Sequence, residues 1–221
     1  MSDTTQSNDI LAVQMEKNIE EIHISGFGKA EKYEGRTSIT KDQDFHIPET
    51  PTGVLRLDIA CGQNKKFGYQ GVDITPMDGV DFVVDLTKFP WPFADNSVYE
   101  IHCSHYVEHT PDLIAFMDEC YRILCPGGTI DIHAPYYSSI RAWQDPTHVR
   151  AISEATFTYF TKVGRDGMNL THYPIKSDFE IINTIMIFNP EYEPKAEEAK
   201  IWALRHYINV VDDIRVVMRK K

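Results

Sequence analysis

Past Val54 the hydrophobic positions of this chain gather into short runs separated by turns and polar stretches. VLRLDIA, YQGVDI, DFVVDL, SVYEIHCS and TIDIHA are compact and mostly apolar, as strands covered on both faces require. FEIINTIMIF and YINVVDDIRVVM are longer and alternate more, which predicts an antiparallel pair at one edge of a sheet. Helical spacing is clearest in PDLIAFMDECYRIL, where Leu113, Ile114, Met117, Cys120, Tyr121 and Leu124 fall on one face. Thr110 is placed to cap this helix and Pro111 suits its first position, while Cys125-Pro126-Gly127-Gly128 ends it. SEATFTYFT, starting near Ser153, and KAEEAKIWALRHY predict two more helices. Strand-helix alternation followed by a terminal strand pair predicts one α/β domain with a mostly parallel sheet.

Before Val54 the pattern is weaker. Residues 1–8 read as disordered, and DILAVQMEKNIEEI over 9–22 has one apolar and one charged side, as a short surface helix does. Residues 25–53, rich in Gly, Thr, Asp and Pro, read as irregular. The expected organisation is therefore an N-terminal helix and extension over 1–52 that covers a pocket, and a main domain over 53–221 whose segment 135–180 forms a lid.

Composition narrows the classes. The chain has 221 residues, enough for one sizeable core, with 42% hydrophobic and 25% charged positions as in ordinary soluble domains. No apolar run approaches the roughly 18 residues that cross a bilayer, so no membrane association is expected. The polar, acidic start MSDTTQSNDI reads as neither signal nor transit peptide. Cys61, Cys103, Cys120 and Cys125 form no CxxC pair and read as reduced core thiols of a cytoplasmic protein. A formal charge of −11, with no basic stretch beyond the terminal RKK, argues against nucleic acid and favours a small neutral or cationic substrate. The oligomeric state is not legible.

The chemistry sits at the strand ends. In open α/β sheets, ligands bind outside the carboxyl ends of the strands near the switch point. Asp58 and Ala60-Cys61-Gly62 end the first strand, Asp73-Ile74 the second and Asp85-Leu86 the third. Asp73 is placed to accept from both hydroxyls of a ribose, and Asp85 from an exocyclic adenine amine. This pattern suits a nucleoside. A dinucleotide fingerprint needs a third glycine and a helix N-terminus for the pyrophosphate. Here Asn64 and Phe67 follow Gly62, and Asp58 and Asp73 are only 15 positions apart, so the first helix must be trimmed to a turn.

DIACGQNKKFGYQGVDI, VDLTKFPWPFADNSV, HYVEHT and LCPGG before a strand occur in that order over roughly residues 53–163. In these motifs the chain resembles the class I S-adenosylmethionine-dependent methyltransferases, in the branch with a shortened G-x-N-K-x-x-G loop. The resemblance implies a seven-stranded, mostly parallel Rossmann-like sheet with an antiparallel last strand and helices on both faces. It implies S-adenosylmethionine as cofactor, with Asp58, Ala60 and Gly62 along its methionine part, and Asp73 with Ile74 at the ribose. Asp85 and Leu86 would hold adenine, and Cys103, Ser104 and His105 would lie beside the methyl group. Ala60 stands where the family usually has Gly. The implied reaction is in-line methyl transfer to a small-molecule or sugar acceptor. A non-catalytic S-adenosylmethionine-binding scaffold or sensor and an NAD-dependent oxidoreductase are the alternatives.

Acceptor and base are less sharply written. PYYSSIRAWQDPTHVR, after the fifth strand, offers Tyr136, Tyr137, Arg141, Trp143, His148 and Arg150 to an acceptor, although DPTH also reads as an ordinary turn. His148 and then His105 are the candidates to take an acceptor proton, because histidine titrates nearest neutral pH. His105 and His109 have helical metal-pair spacing, but the stretch is not HExxH and shows no third ligand, so no metal is expected. His133 reads as a core or edge histidine, and Cys61 as a small packing residue.

Overall fold

The computed structural model describes residues 55–221, so the helix expected over 9–22 and the extension over 25–53 lie outside the described residues. Strands β1 (Leu55–Ile59), β2 (Gln70–Asp73), β3 (Val80–Val83), β4 (Val98–Ser104), β5 (Leu124–Pro135), β6 (Phe179–Phe188) and β7 (Val211–Lys220) form one seven-stranded sheet in the order 3-2-1-4-5-7-6. The pairs from β3 through β5 are parallel, whereas β7 runs antiparallel to both β5 and β6. All seven apolar runs are thus strands, and the two long ones pair antiparallel at one edge. The helices are α1 (Leu113–Ile123), α2 (Arg141–Gln144), α3 (Glu154–Thr158), α4 (Lys162–Gly167) and α5 (Glu197–His206). Among the described residues no helix is long and apolar enough to cross a membrane.

One contiguous core explains the pattern. Ile101 and Cys103 of β4 are buried with Phe116, Met117, Cys120 and Ile123 of α1, and Trp91 joins them. Each large apolar side chain buried in this way contributes about 1.5–3 kcal/mol. Glu119 of α1 accepts from the Trp91 amide at 2.6 Å and pairs with Arg122, whose guanidinium also reaches the Phe93 carbonyl. The 91–95 segment is thereby tied to the helix it covers.

Two local expectations are corrected. Asp112, not Thr110, caps α1, accepting from the Ala115 amide at 2.9 Å, so Pro111 precedes the cap. The amides of His109 and Thr110 both bond the Tyr106 carbonyl, and this extra turn delays the helix. The second correction concerns β5. It starts at Leu124 directly after α1, with Val98 paired to Leu124 and Glu100 to Thr129, so Cys125–Gly128 bulges within the strand instead of preceding it. A Cβ on Gly128 would come 2.9 Å from the Tyr99 carbonyl oxygen, a closeness that only glycine permits. Helices α2 and α4 lie in a stretch with no strong periodicity and were not expected.

Parallel pairing puts Asp58, His102 and Asp131 side by side, because register partners share a face. That face is polar. Arg215 of β7 grips Asp131 through two bonds of 2.9 and 3.0 Å. Burial pushes the Asp131 carboxyl up, but His102, 3.8 Å away, and then the Arg215 fork hold it far below the usual carboxylate range. His133 sits 3.6 Å from Asp131, and burial drives its pKa down to about 4 against the pull of that carboxylate.

Candidate active site

Strand order reverses between β1 and β4, which places a crevice outside their carboxyl ends. The connection from β1 to β2 holds no helix; residues 60–69 form a compact loop. Three carboxylates build it. Asp58 Oδ2 accepts from the Lys66 amide at 2.7 Å, Asp73 Oδ2 from the Gly62 amide at 3.0 Å, and Asp81 Oδ2 from the Gly71 amide at 2.7 Å. Lys65 reaches Asp81 at 2.8 Å, and the Tyr69 hydroxyl donates to Glu100 at 2.6 Å. The bond from Lys65, then that from the Gly71 amide, lowers the Asp81 carboxyl below its ordinary pKa. Asp81 and the two lysines were absent from the sequence-derived site. A lysine pair in a loop with no helix pattern was the available signal.

The loop leaves room at Gly62. Ala60 and Gly62 adopt left-handed φ of 55° and 50°, and a Cβ on Gly62 would meet nothing within 4 Å. Beside it Ile74 is 61% exposed next to Asp73, an apolar platform at the end of β2. Asp73 spends one lone pair per oxygen, on Gly62 and on Thr75 at 3.0 Å each, and a carboxylate has about four such sites. Asp85 accepts from the amide and hydroxyl of Thr87 and pairs with exposed Lys88, contacts that lower its pKa. Leu86 is buried, its carbonyl bonded by the Trp91 indole at 3.3 Å. Cys61 is also buried; burial, then Asp58 and Asp73, raises its thiol pKa, which suits a packing residue. These features fit a nucleoside with a small charged arm.

Across the crevice, Cys103 is fully buried and burial raises its pKa far above the ordinary value. Ser104 is half-buried and ends the strand. His105 follows at φ 55°, its amide bonded to the His133 carbonyl at 2.9 Å. A non-glycine residue in this region marks a constrained turn. His105 Nδ1 lies 3.4 Å from Glu108 Oε1, and this partner raises the imidazole pKa.

The segment after β5 curls back over the same edge. The Tyr137 amide bonds the Ile152 carbonyl and the Val149 amide bonds the Glu108 carbonyl, each at 2.9 Å. Tyr136 is 2% exposed and its hydroxyl donates to Glu154 at 3.0 Å, whereas Tyr137 and Trp143 stand in solvent. The Trp143 indole donates to the Tyr137 carbonyl at 2.9 Å. Arg141 pairs with Asp213 of β7 at 2.6 Å, and Arg150 donates to the Pro111 carbonyl at 3.1 Å. His148 Nδ1 faces the Ala142 carbonyl at 3.0 Å. The fold therefore brings His105 and the segment carrying His148 to one sheet edge, and it keeps Tyr136 in the core.

The sheet order defines a Rossmann-like domain. A family model described as a methyltransferase domain matches residues 54–132. A SAM-dependent methyltransferase from Archaeoglobus fulgidus superposes with a TM-score of 0.50 at 21% identity, covering 76% of this chain and 87% of that one. An S-adenosylmethionine-dependent methyltransferase from Mesorhizobium loti gives a TM-score of 0.47 at 13% identity, over 76% and 91% of the two chains. None of the curated proteins matches the chain. The match places a methyltransferase domain over residues 54–132, and the superposition on the Archaeoglobus fulgidus protein shows that the two share a fold.

Proposed function

We propose that this chain transfers a methyl group from S-adenosylmethionine to a small-molecule or sugar acceptor by in-line displacement, inside a pocket bordered by residues 135–180. The observation that carries the reading is the row of Asp58, Asp73 and Asp85 at the ends of three neighbouring strands, opposite a polar, aromatic segment that returns over the same edge. When bound, the cofactor supplies an already activated methyl group on a sulfonium. The chain's own residues bind, align and dehydrate, effects worth up to about 7–11 kcal/mol. Asp73 with Ile74 takes the ribose, Asp85 with Leu86 the adenine, and Asp58, Ala60 and Gly62 border the methionine arm. Ser104 and His105 face the methyl group, and the Cys103 side chain, fully buried, supports them from the core. Tyr137, Arg141, Trp143 and Arg150 contact the acceptor from the segment after β5, with Tyr136 supporting that segment from below. Where the acceptor keeps a proton at neutral pH, His105 or His148 receives it. Nucleic acid is not among the expected acceptors, given the charge of −11.

Calorimetric titration with S-adenosylhomocysteine and, separately, NAD tests the cofactor half. Micromolar binding of the first alone is expected, and acceptor screening with labelled methyl donor follows. Binding of NAD alone would overturn the assignment. Tight cofactor binding without transfer to any small hydroxylated, amino or sugar acceptor would turn the reading toward a sensor.

A further inference from the structure

We propose that Glu108, His109 and His148 form a binding site for a divalent first-row transition cation such as Zn2+. One carboxylate oxygen of Glu108 and one nitrogen from each imidazole lie within 4.8 Å of one another. Two segments far apart in sequence meet here, held by the 2.9 Å bond from the Val149 amide to the Glu108 carbonyl. The two rings lie 4.6 Å apart between centroids at an interplanar angle of 75°. Two histidines and a carboxylate are the donor set of tetrahedral zinc and of facial-triad sites, both of which keep positions open.

The ring tautomers agree with ligation. The Thr147 hydroxyl donates to Asp145 Oδ1 at 2.6 Å, so at the 2.9 Å contact with His109 Nδ1 the hydroxyl oxygen must accept and the ring must donate. The Ala142 carbonyl opposite His148 Nδ1 can only accept, which fixes the proton on that nitrogen too. Both rings therefore carry their lone pair on Nε2. Metal-binding histidines are oriented in this way, by donating the other N–H to a carbonyl or toward a carboxylate.

The third observation is independent of the histidines. Glu108 is 1% exposed, yet among the described residues neither of its carboxylate oxygens receives a hydrogen bond. His105 Nδ1, 3.4 Å from Oε1, is close enough for an ion pair but lacks hydrogen-bond alignment, and among the described residues Oε2 has no hydrogen-bond partner. Buried carboxylate oxygens are almost always satisfied, and a cation satisfies this one. The site lies beside the carboxyl end of β4. Its use rests on the proposed methyl transfer: an open coordination position would hold an acceptor oxygen and lower its pKa.

The test is equilibrium dialysis of the full chain, stripped with chelator, against Zn2+, with Co2+ absorption as the spectroscopic readout and no cofactor present. About one Zn2+ per chain is expected, with Co2+ bands typical of nitrogen and oxygen ligands. His109→Ala and His148→Ala should each weaken binding at least about 10-fold, while His206→Ala on α5 should leave it unchanged. Thr147→Val, which removes only the ring's outer partner, should weaken binding about 10- to 100-fold and keeps the test decisive if a ligand variant fails to fold. No stoichiometric uptake, or uptake that survives these substitutions, would overturn the site. Parallel titration with S-adenosylhomocysteine reports on the cofactor pocket separately, so failure of one reading is distinguishable from failure of the other.

Discussion

Removing the Asp73 carboxylate should strike cofactor affinity harder than stability. Its two oxygens each accept one backbone N–H, from Gly62 and from Thr75, both at 3.0 Å. Two lone-pair sites remain for a ribose diol. Hydrogen bonds to a charged acceptor contribute about 1.5–3 kcal/mol, so Asp73→Ala should raise the dissociation constant for S-adenosylhomocysteine about 10- to 150-fold. The freed amides are partly hydrated in this half-buried place, which limits the folding cost to about 1–2 kcal/mol. Asp73→Asn should fall between, since its amide oxygen can keep one of the two N–H groups. Calorimetry measures the affinity and urea unfolding the stability. An S-adenosylhomocysteine analogue without the ribose hydroxyls completes a double-mutant cycle: it should bind the wild type weakly and lose little further in the variant. An unchanged dissociation constant in a cooperatively folding Asp73→Ala protein would refute the ribose assignment, and full additivity in the cycle would show that only the loop had loosened.

Two further outcomes concern stability. Ala60 holds φ of 55°, where a side chain costs roughly 1–2 kcal/mol, and glycine's freer unfolded chain returns about 0.4–1 of that, so Ala60→Gly should stabilise by about 0.5–1 kcal/mol in urea; a loss would show that the methyl's packing outweighs the backbone strain. Because the folded pKa of His133 is about 4 against an ordinary 6.5, its contribution is complete above pH 6.5 and declines as pH falls toward 4, by at most about 3 kcal/mol. The groups facing it are Asp131 on its own strand, His102 and His105 from β4 and the turn after it, and Arg215 on β7. Asp131, held low, adds a steeper loss below the ordinary carboxylate range. Urea midpoints measured against pH should show the upper slope in the wild type and not in His133→Gln, and equal slopes would remove His133 as its source.

Short-range information in the sequence determined the elements. Seven apolar runs gave seven strands, and the 15-position separation of Asp58 and Asp73, too short for a strand-helix-strand unit with its turns, excluded the usual first helix. Acids at strand ends were legible because a strand's last residue sits at the sheet edge whatever lies around it. What the tertiary structure alone decided depends on distant pairings. Strand β5 could be traced back to Leu124 only through its register with Val98, and Asp112 took the cap because the turn at Tyr106 used up the residues before it. The 60–69 loop owes its shape to Asp81, a strand residue in another run that reaches Gly71 and Lys65. Likewise His109 was judged beside His105, its helical-spacing neighbour, whereas the fold sets it against His148. Periodicity reports which way a side chain faces along its own element; which group waits there is fixed only when the sheet edge folds the chain back on itself.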